Sequence, residues 1–150
     1  MAVLRVRLSK KHEVMAMQRF LWQKADEGLL FLRVAFGLMM MVHGWGKLAN
    51  FGQMAGSFPD PFGVGSGLSL SLAIFAELVC SILLLVGLGT RFALIPLMVT
   101  MLVAIFYAHG ADPWAKKELA VAYLTVYGTL MLAGPGRFSL DRILFGSKGS

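Results

Sequence analysis

Apolar positions along the chain fall into four long blocks rather than short alternating runs. The blocks cover residues 29–48, 68–88, 92–109 and 118–134, with glycine, proline and charged positions between them. At 1.5 Å per residue, twenty helical residues cover about 30 Å, the hydrocarbon thickness of a bilayer. The first two blocks reach that length. The third is slightly short, and the fourth spans when Lys117 and Arg137 at its flanks snorkel toward the headgroups. Backbone amides find no water in hydrocarbon, so each block is predicted to be helical. The blocks lack the alternation of barrel strands and are too long for them. The predicted fold is therefore all-α: a four-transmembrane-helix bundle over 29–145, preceded by an N-terminal amphipathic interfacial helix in 1–28 and followed by a flexible tail at 146–150.

The pattern changes outside the blocks. Val14, Met17, Phe20 and Leu21 recur at helical spacing, with Lys10, Lys11, Arg19 and Lys24 around them. That is the pattern of a helix lying on an anionic leaflet. Phe138, Leu140, Ile143, Leu144 and Phe145 repeat it near the C-terminus, with Ser139 as the expected cap. The GPG at 134–136 stops the fourth helix. The loop at 49–67 has no Lys or Arg but carries Phe51, Phe58, Pro59, Pro61 and Phe62, which fits either a lid over the bundle mouth or an ordinary surface loop. A cleaved signal peptide is not expected, because 28 residues precede a block longer than a signal's apolar core.

Composition supports this reading. Of 150 residues, 57% are hydrophobic and 15% charged, with mean hydropathy +0.71, whereas soluble domains carry about a quarter charged residues. The net charge of +6 is unevenly placed. Arg5, Arg7, Lys10, Lys11, Arg19, Lys24, Arg91, Arg137, Arg142 and Lys148 fall on one side of the expected membrane. Only Lys47, Lys116 and Lys117 fall on the other, and Arg33 lies within the first block. This bias predicts a multi-pass inner (plasma) membrane protein with both termini cytoplasmic. Basic residues that flank spans, rather than stripe a soluble face, argue against nucleic acid as a partner. Cys80 is the only cysteine, so no intrachain disulfide or thiolate cluster is possible, and it reads as a small buried hydrophobe.

The candidate chemistry is the set of polar residues inside the apolar blocks. An ionisable group within a span costs about 2.5–3.5 kcal/mol on insertion scales, so it is expected to face the bundle interior with a partner. Arg33, His43, Lys47, Glu77 and His109 qualify. His43 and Lys47 are four residues apart on one helix face. Counted along the helices, His43 and Glu77 differ by only about 6 Å in depth, close enough for two side chains and a water. At 100° per residue, Arg33, Gly37, Met40, Gly44 and Lys47 share one stripe, with His43 at its edge. Gly37 and Gly44 on that stripe admit a neighbouring helix or a flat ligand close to the backbone. Trp45 reads as an interfacial anchor. Plainer readings exist for some of these. Lys47 fits a simple snorkeller, His109 a loop-edge residue, and Arg33 a topology anchor. Glu77 has no such route, because a midplane carboxylate cannot snorkel.

His43, Glu77 and His109 supply the residue types of a two-histidine, one-carboxylate metal set, but from separate helices at no diagnostic spacing, so no metal is assigned. A quinone is the more natural ligand: a flat apolar ring with two carbonyl acceptors, wanting one donor and one titratable group. Serine-hydrolase, P-loop, dinucleotide and haem-attachment fingerprints are absent from the sequence.

The segments LRVAFGLMMMVHGWGKL at 32–48, AEL at 76–78, LLLVGLGTR at 83–91, the block 104–109 and GPGRFSLD at 134–141 together resemble the DoxX family of small four-helix membrane proteins. The resemblance covers residues 29–144 in order and spacing and excludes the N-terminal 28. It implies a four-helix inner-membrane protein with both termini inside. It also implies a link to quinone-associated redox work, such as a subunit of a thiosulfate:quinone oxidoreductase, and to oxidative-stress complexes with soluble partners. The family's polar pattern falls on Arg33, His43, Gly44, Lys47, Glu77, Arg91 and Asp141, and Gly87, Gly89 and Arg91 form the expected tight turn between the second and third spans.

The resulting expectation is a membrane subunit of a redox system holding a quinone or similar lipophilic ring. Glu77 and His43 would be the reactive pair, with Arg33, Gly44, Lys47 and His109 completing the ligand site. Arg33 would secure Glu77 or a lipid phosphate. Membrane lipids are expected partners, together with a soluble or membrane redox protein or further copies of the chain, since no electron carrier is visible. The rival expectation is a non-enzymatic scaffold or assembly subunit whose buried polar residues only fix helix register.

Overall fold

A computed structural model describes residues 2–146, with side chains from residue 10 onward. The tail expected at 146–150 therefore lies, beyond Gly146, outside the described residues. Six helices follow in order: α1 Ala2–Ala49, α2 Phe51–Met54, α3 Ser66–Val86, α4 Thr90–Ala108, α5 Trp114–Ala133 and α6 Leu140–Phe145. Among the described residues there is no strand. α3 is π-helical over Phe75–Cys80, and α4 over Ala104–Ala108.

The four long helices form an antiparallel bundle in which α1 packs on α3, α3 on α4, α4 on α5, and α5 back on α1. Helices α1, α3 and α4 are long and apolar enough to cross a membrane. α5 has 20 residues, about 30 Å, and carries Lys116, Lys117 and Glu118 near its start. Met40, Leu84, Leu94, Leu97, Tyr123, Tyr127 and Leu130 fill the centre. Large apolar side chains point outward around the bundle, with Leu132 85% and Phe92 81% exposed. In water such a belt would be an aggregation liability, whereas in lipid it is the solvated surface.

The amphipathic segment at 1–28 and the first span are joined without a break. α1 is one helix of 48 residues, about 72 Å long, and Gly28 lies inside it. Residues 2–49 contain no proline, and one glycine costs only about 1 kcal/mol in a helix interior, too little to end it. α1 stops at Asn50, whose amide nitrogen Nδ2 donates to the Gly46 carbonyl at 2.8 Å. The loop after α2 is ordered by Asp60. Its carboxylate accepts from the Val64 and Gly65 amides and the Ser69 hydroxyl. The Ser69 hydroxyl, ahead of the Gly65 amide, holds Asp60 below the usual carboxylate range. The Tyr107 hydroxyl also reaches the Asp60 carbonyl at 3.3 Å.

At the end of the bundle that carries both termini, chain turns and a buried arginine interlock. α3 ends at Gly87 and α4 begins after Gly89, both left-handed, with φ of 71° and 56°. Asp141, in the first turn of α6, accepts from the Gly89 and Thr90 amides at 2.7 and 2.9 Å, and its own amide donates to the Gly87 carbonyl. Burial acts against the Asp141 charge, but those amides and the nearby Arg33 outweigh it and hold the carboxyl below its ordinary range. Ser139 caps α6 as expected, its hydroxyl accepting from the Arg142 amide.

Arg33 is only 1% exposed. Its guanidinium donates to the carbonyls of Leu84 and Leu85 at the end of α3, and to those of Pro135 and Phe138 in the segment joining α5 to α6. A Cβ at Gly87 would come within 2.6 Å of Nη2, so only glycine leaves room for this fork. The expectation that Arg33 secures Glu77 or a lipid phosphate is thereby corrected. Two of its donors are directed at carbonyls in the last turn of α3, where the negative end of the helix dipole lies, and two at carbonyls of the α5–α6 segment.

Arg33→Lys keeps the charge but loses the planar fork. It is expected to leave buried carbonyls unpaired and to cost about 3 kcal/mol, read as a fall in the unfolding temperature of the detergent-solubilised protein. An unchanged transition would refute this role.

Candidate functional site

The stripe anticipated on α1 is the face that packs. Arg33, Gly37, Met40 and Gly44 are buried, Lys47 is partly buried, and His43 lies at the edge, exposed. The glycines serve a helix rather than a ring. A Cβ at Gly37 would lie 3.0 Å from the Leu85 side chain, and one at Gly44 would lie 2.8 Å from both the Glu77 carbonyl carbon and the Leu78 nitrogen. α1 thus passes against the backbone of α3 at its π-helical turn. Such turns, with i→i+5 hydrogen bonds, often mark functional positions in membrane and soluble helices alike.

Directly above this contact, Lys47 Nζ meets Glu77 Oε2 at 2.5 Å, with the side chains 21% and 5% exposed. The lysine reaches down from the rim of α1 and partners the midplane carboxylate, which satisfies the requirement that a charge in a span be paired. His43, expected to share the Glu77 proton, instead sets its ring edge-on to Tyr123, with centroids 6.1 Å apart and planes at 85°. The hydrogen bond to Glu77 comes from Lys47. The physical reason is rotation: Lys47 sits closer to the centre of the packed stripe than His43 does.

Two tyrosines on α5 complete the site, and sequence reasoning missed both. Tyr123 and Tyr127 are one turn apart with rings 5.8 Å from each other, and Phe36 packs edge-on against Tyr123 at 5.4 Å. Both are fully buried. Among the described residues, their hydroxyls and that of Ser81 on α3 meet no hydrogen-bond partner. Tyr123 meets His43 of α1 edge-on, and Ser81 follows Glu77 by four residues along α3. Buried hydroxyls are nearly always partnered, so three orphans beside one ion pair call for an explanation. The available sequence signal was the spacing YLTVY, which places two amphipathic rings on one helix face.

His109 is not part of this cluster. Its Nδ1 pairs with Asp112 at 2.8 Å in the α4–α5 loop, and that bond, ahead of Lys116, holds Asp112 below its usual range. The expectation that His109 lines the ligand site is corrected to a loop-fixing role, because α4 ends before the histidine. Among the described residues, no three His, Cys, Asp or Glu side chains converge as a metal set. The assembled site is therefore His43 and Lys47 from α1, Glu77 and Ser81 from α3, and Tyr123 and Tyr127 from α5.

A family model described as DoxX matches residues 28–110. Similar curated proteins include an uncharacterized protein of Haemophilus influenzae, 34% identical over 78% of this chain and 90% of its own length. The inner membrane protein YqjF of Escherichia coli is 30% identical over 79% of this chain and 93% of its own. The uncharacterized membrane protein Rv3486 of Mycobacterium tuberculosis is 27% identical, covering 84% and 86% respectively. No solved structure matches the chain.

Gly44→Ala is expected to push α1 off α3 and cost about 1–3 kcal/mol of stability. Gly46→Ala, where a Cβ would meet nothing within 4 Å, should leave the unfolding transition in place. Equal effects at the two sites would contradict the close helix pass.

Proposed function

Because this chain belongs to the DoxX family, we propose that it is an integral membrane subunit of a redox system and binds a quinone-like ring at the Lys47–Glu77 cluster. The observation that carries the reading is the set of orphan hydroxyls on Tyr123, Tyr127 and Ser81 beside that ion pair. Each is a donor that an apolar ring bearing carbonyl oxygens would satisfy without bringing water into the bundle. A bound quinone supplies the two-electron chemistry. The chain's own residues bind and orient it and hold a proton at the Glu77 carboxylate or the Lys47 amine. His43, exposed on the flank of α1 and edge-on to Tyr123, marks a lateral approach from lipid. Electrons would come from a soluble or membrane redox partner protein.

A scaffold reading is favoured by a different observation. Lys47 and Glu77 are already closed on each other over a glycine-mediated backbone contact, the arrangement of a register-fixing pair. The two readings separate on Tyr127→Phe and Glu77→Gln, titrated with a short-tail ubiquinone in detergent alongside thermal unfolding. A ligand site predicts that Tyr127→Phe weakens binding about tenfold, the equivalent of one hydrogen bond near 1.4 kcal/mol. Its unfolding temperature would stay level or rise, because an unsatisfied hydroxyl has been removed. Absence of ubiquinone binding by the parent protein, with loss of stability alone in Glu77→Gln, selects the scaffold.

We place both termini in the cytoplasm on the Lys and Arg distribution. A green fluorescent protein fused to the C-terminus is expected to fluoresce and an alkaline phosphatase fused there to be inactive; the reverse pair would invert the topology.

A further inference from the structure

We propose that the terminal end of the bundle carries a site for the phosphodiester headgroup of an anionic phospholipid, built by Arg91, Arg137 and Arg142. This site is separate from the Lys47–Glu77 cluster and does not depend on its ligand. A groove of about 890 Å³ opens there between α1, the start of α4, the end of α5 and α6. The three arginines line it and are exposed. Among the described residues, no carboxylate lies within ion-pair distance of any of them.

Two aspartates also line the groove, but both are engaged elsewhere. Asp26 Oδ1 accepts from the Arg137 backbone amide at 2.9 Å. Both oxygens of Asp141 accept from the amides of Gly89 and Thr90, and the buried Arg33 offsets its charge. The lining holds three arginines and two aspartates, a net charge of +1, and the buried Arg33 near Asp141 adds a further positive charge behind it. An uncompensated guanidinium cluster matches phosphate oxygens in charge and in its forked donor geometry.

Depth and wall chemistry point to a lipid as the source of that phosphate. The groove lies where α4 enters and α5 leaves the bundle, the level at which headgroups sit. Trp22 and Phe145 form apolar walls and are 70% and 77% exposed, so they can follow the glycerol backbone and the first acyl carbons. Basic pockets between helices at a membrane face are the recognised setting for anionic headgroups.

The test uses the full chain in detergent and native mass spectrometry, titrated with dioctanoyl-phosphatidylglycerol, dioctanoyl-phosphatidylcholine or inorganic phosphate. One phosphatidylglycerol is expected to be retained per chain, with phosphatidylcholine held at least tenfold more weakly. Arg137→Ala with Arg142→Ala should weaken phosphatidylglycerol binding at least tenfold without moving the unfolding transition, since both side chains are exposed. The corresponding double lysine variant should recover most of the binding. Equal retention of the two lipids, or an unaltered affinity in the double alanine variant, would overturn the site. So would inorganic phosphate competing as well as the lipid, which would identify a free-anion site instead.

Discussion

The structure depends first on how one arginine is neutralised inside a membrane-spanning helix. Arg33 has no carboxylate at hydrogen-bond distance; its guanidinium is satisfied by four carbonyls drawn from two other parts of the chain. Those carbonyls belong to the last turn of α3 and to the proline-containing segment after α5, so one guanidinium joins two chain turns through its forked donors. Gly87 leaves the space, and Asp141 ties α6 and the following turn into the same knot. Because the fork is planar and reaches two elements, it sets both the rotation and the height of α1 against α3.

Everything further along α1 inherits that setting. Gly44 lies eleven residues from Arg33, about 16 Å along the helix, and meets the backbone of α3 at Glu77. Lys47 then falls over the carboxylate. A lysine alone in that position would snorkel outward, and a carboxylate alone at that depth would lack a partner. Held together they form an ion pair, and the packed glycine keeps the helices too close for either to swing away. The tyrosines of α5 pack beside the cluster, and among the described residues their buried hydroxyls meet no hydrogen-bond partner.

The two ends of the bundle thus have different characters. One is closed by the buried Arg33 and bordered by the exposed Arg91, Arg137 and Arg142. The other holds an ion pair and idle donors beneath a loop that Asp60 ties down. Membership of the DoxX family accounts for the bundle and its polar pattern.

The sequence by itself determined the helical fold, the approximate spans and the packed face of α1. Backbone amides in lipid must bond within their own helix, and a 100° periodicity is readable from one chain. The same logic identified Glu77 as needing a partner, and Ser139 as a cap. Tertiary structure alone decided which partner. Depth counting put His43 level with Glu77, whereas the folded chain, with its close pass at Gly44, pairs the carboxylate with Lys47. Arg33 looked like a partner for a charge because single-chain reasoning counts charges, whereas the folded chain offered it backbone carbonyls brought from residues about fifty and a hundred positions away. Tyr123 and Tyr127 went unnoticed because an aromatic in an apolar helix is ordinarily packing. Only the assembled bundle shows that their hydroxyls reach no partner.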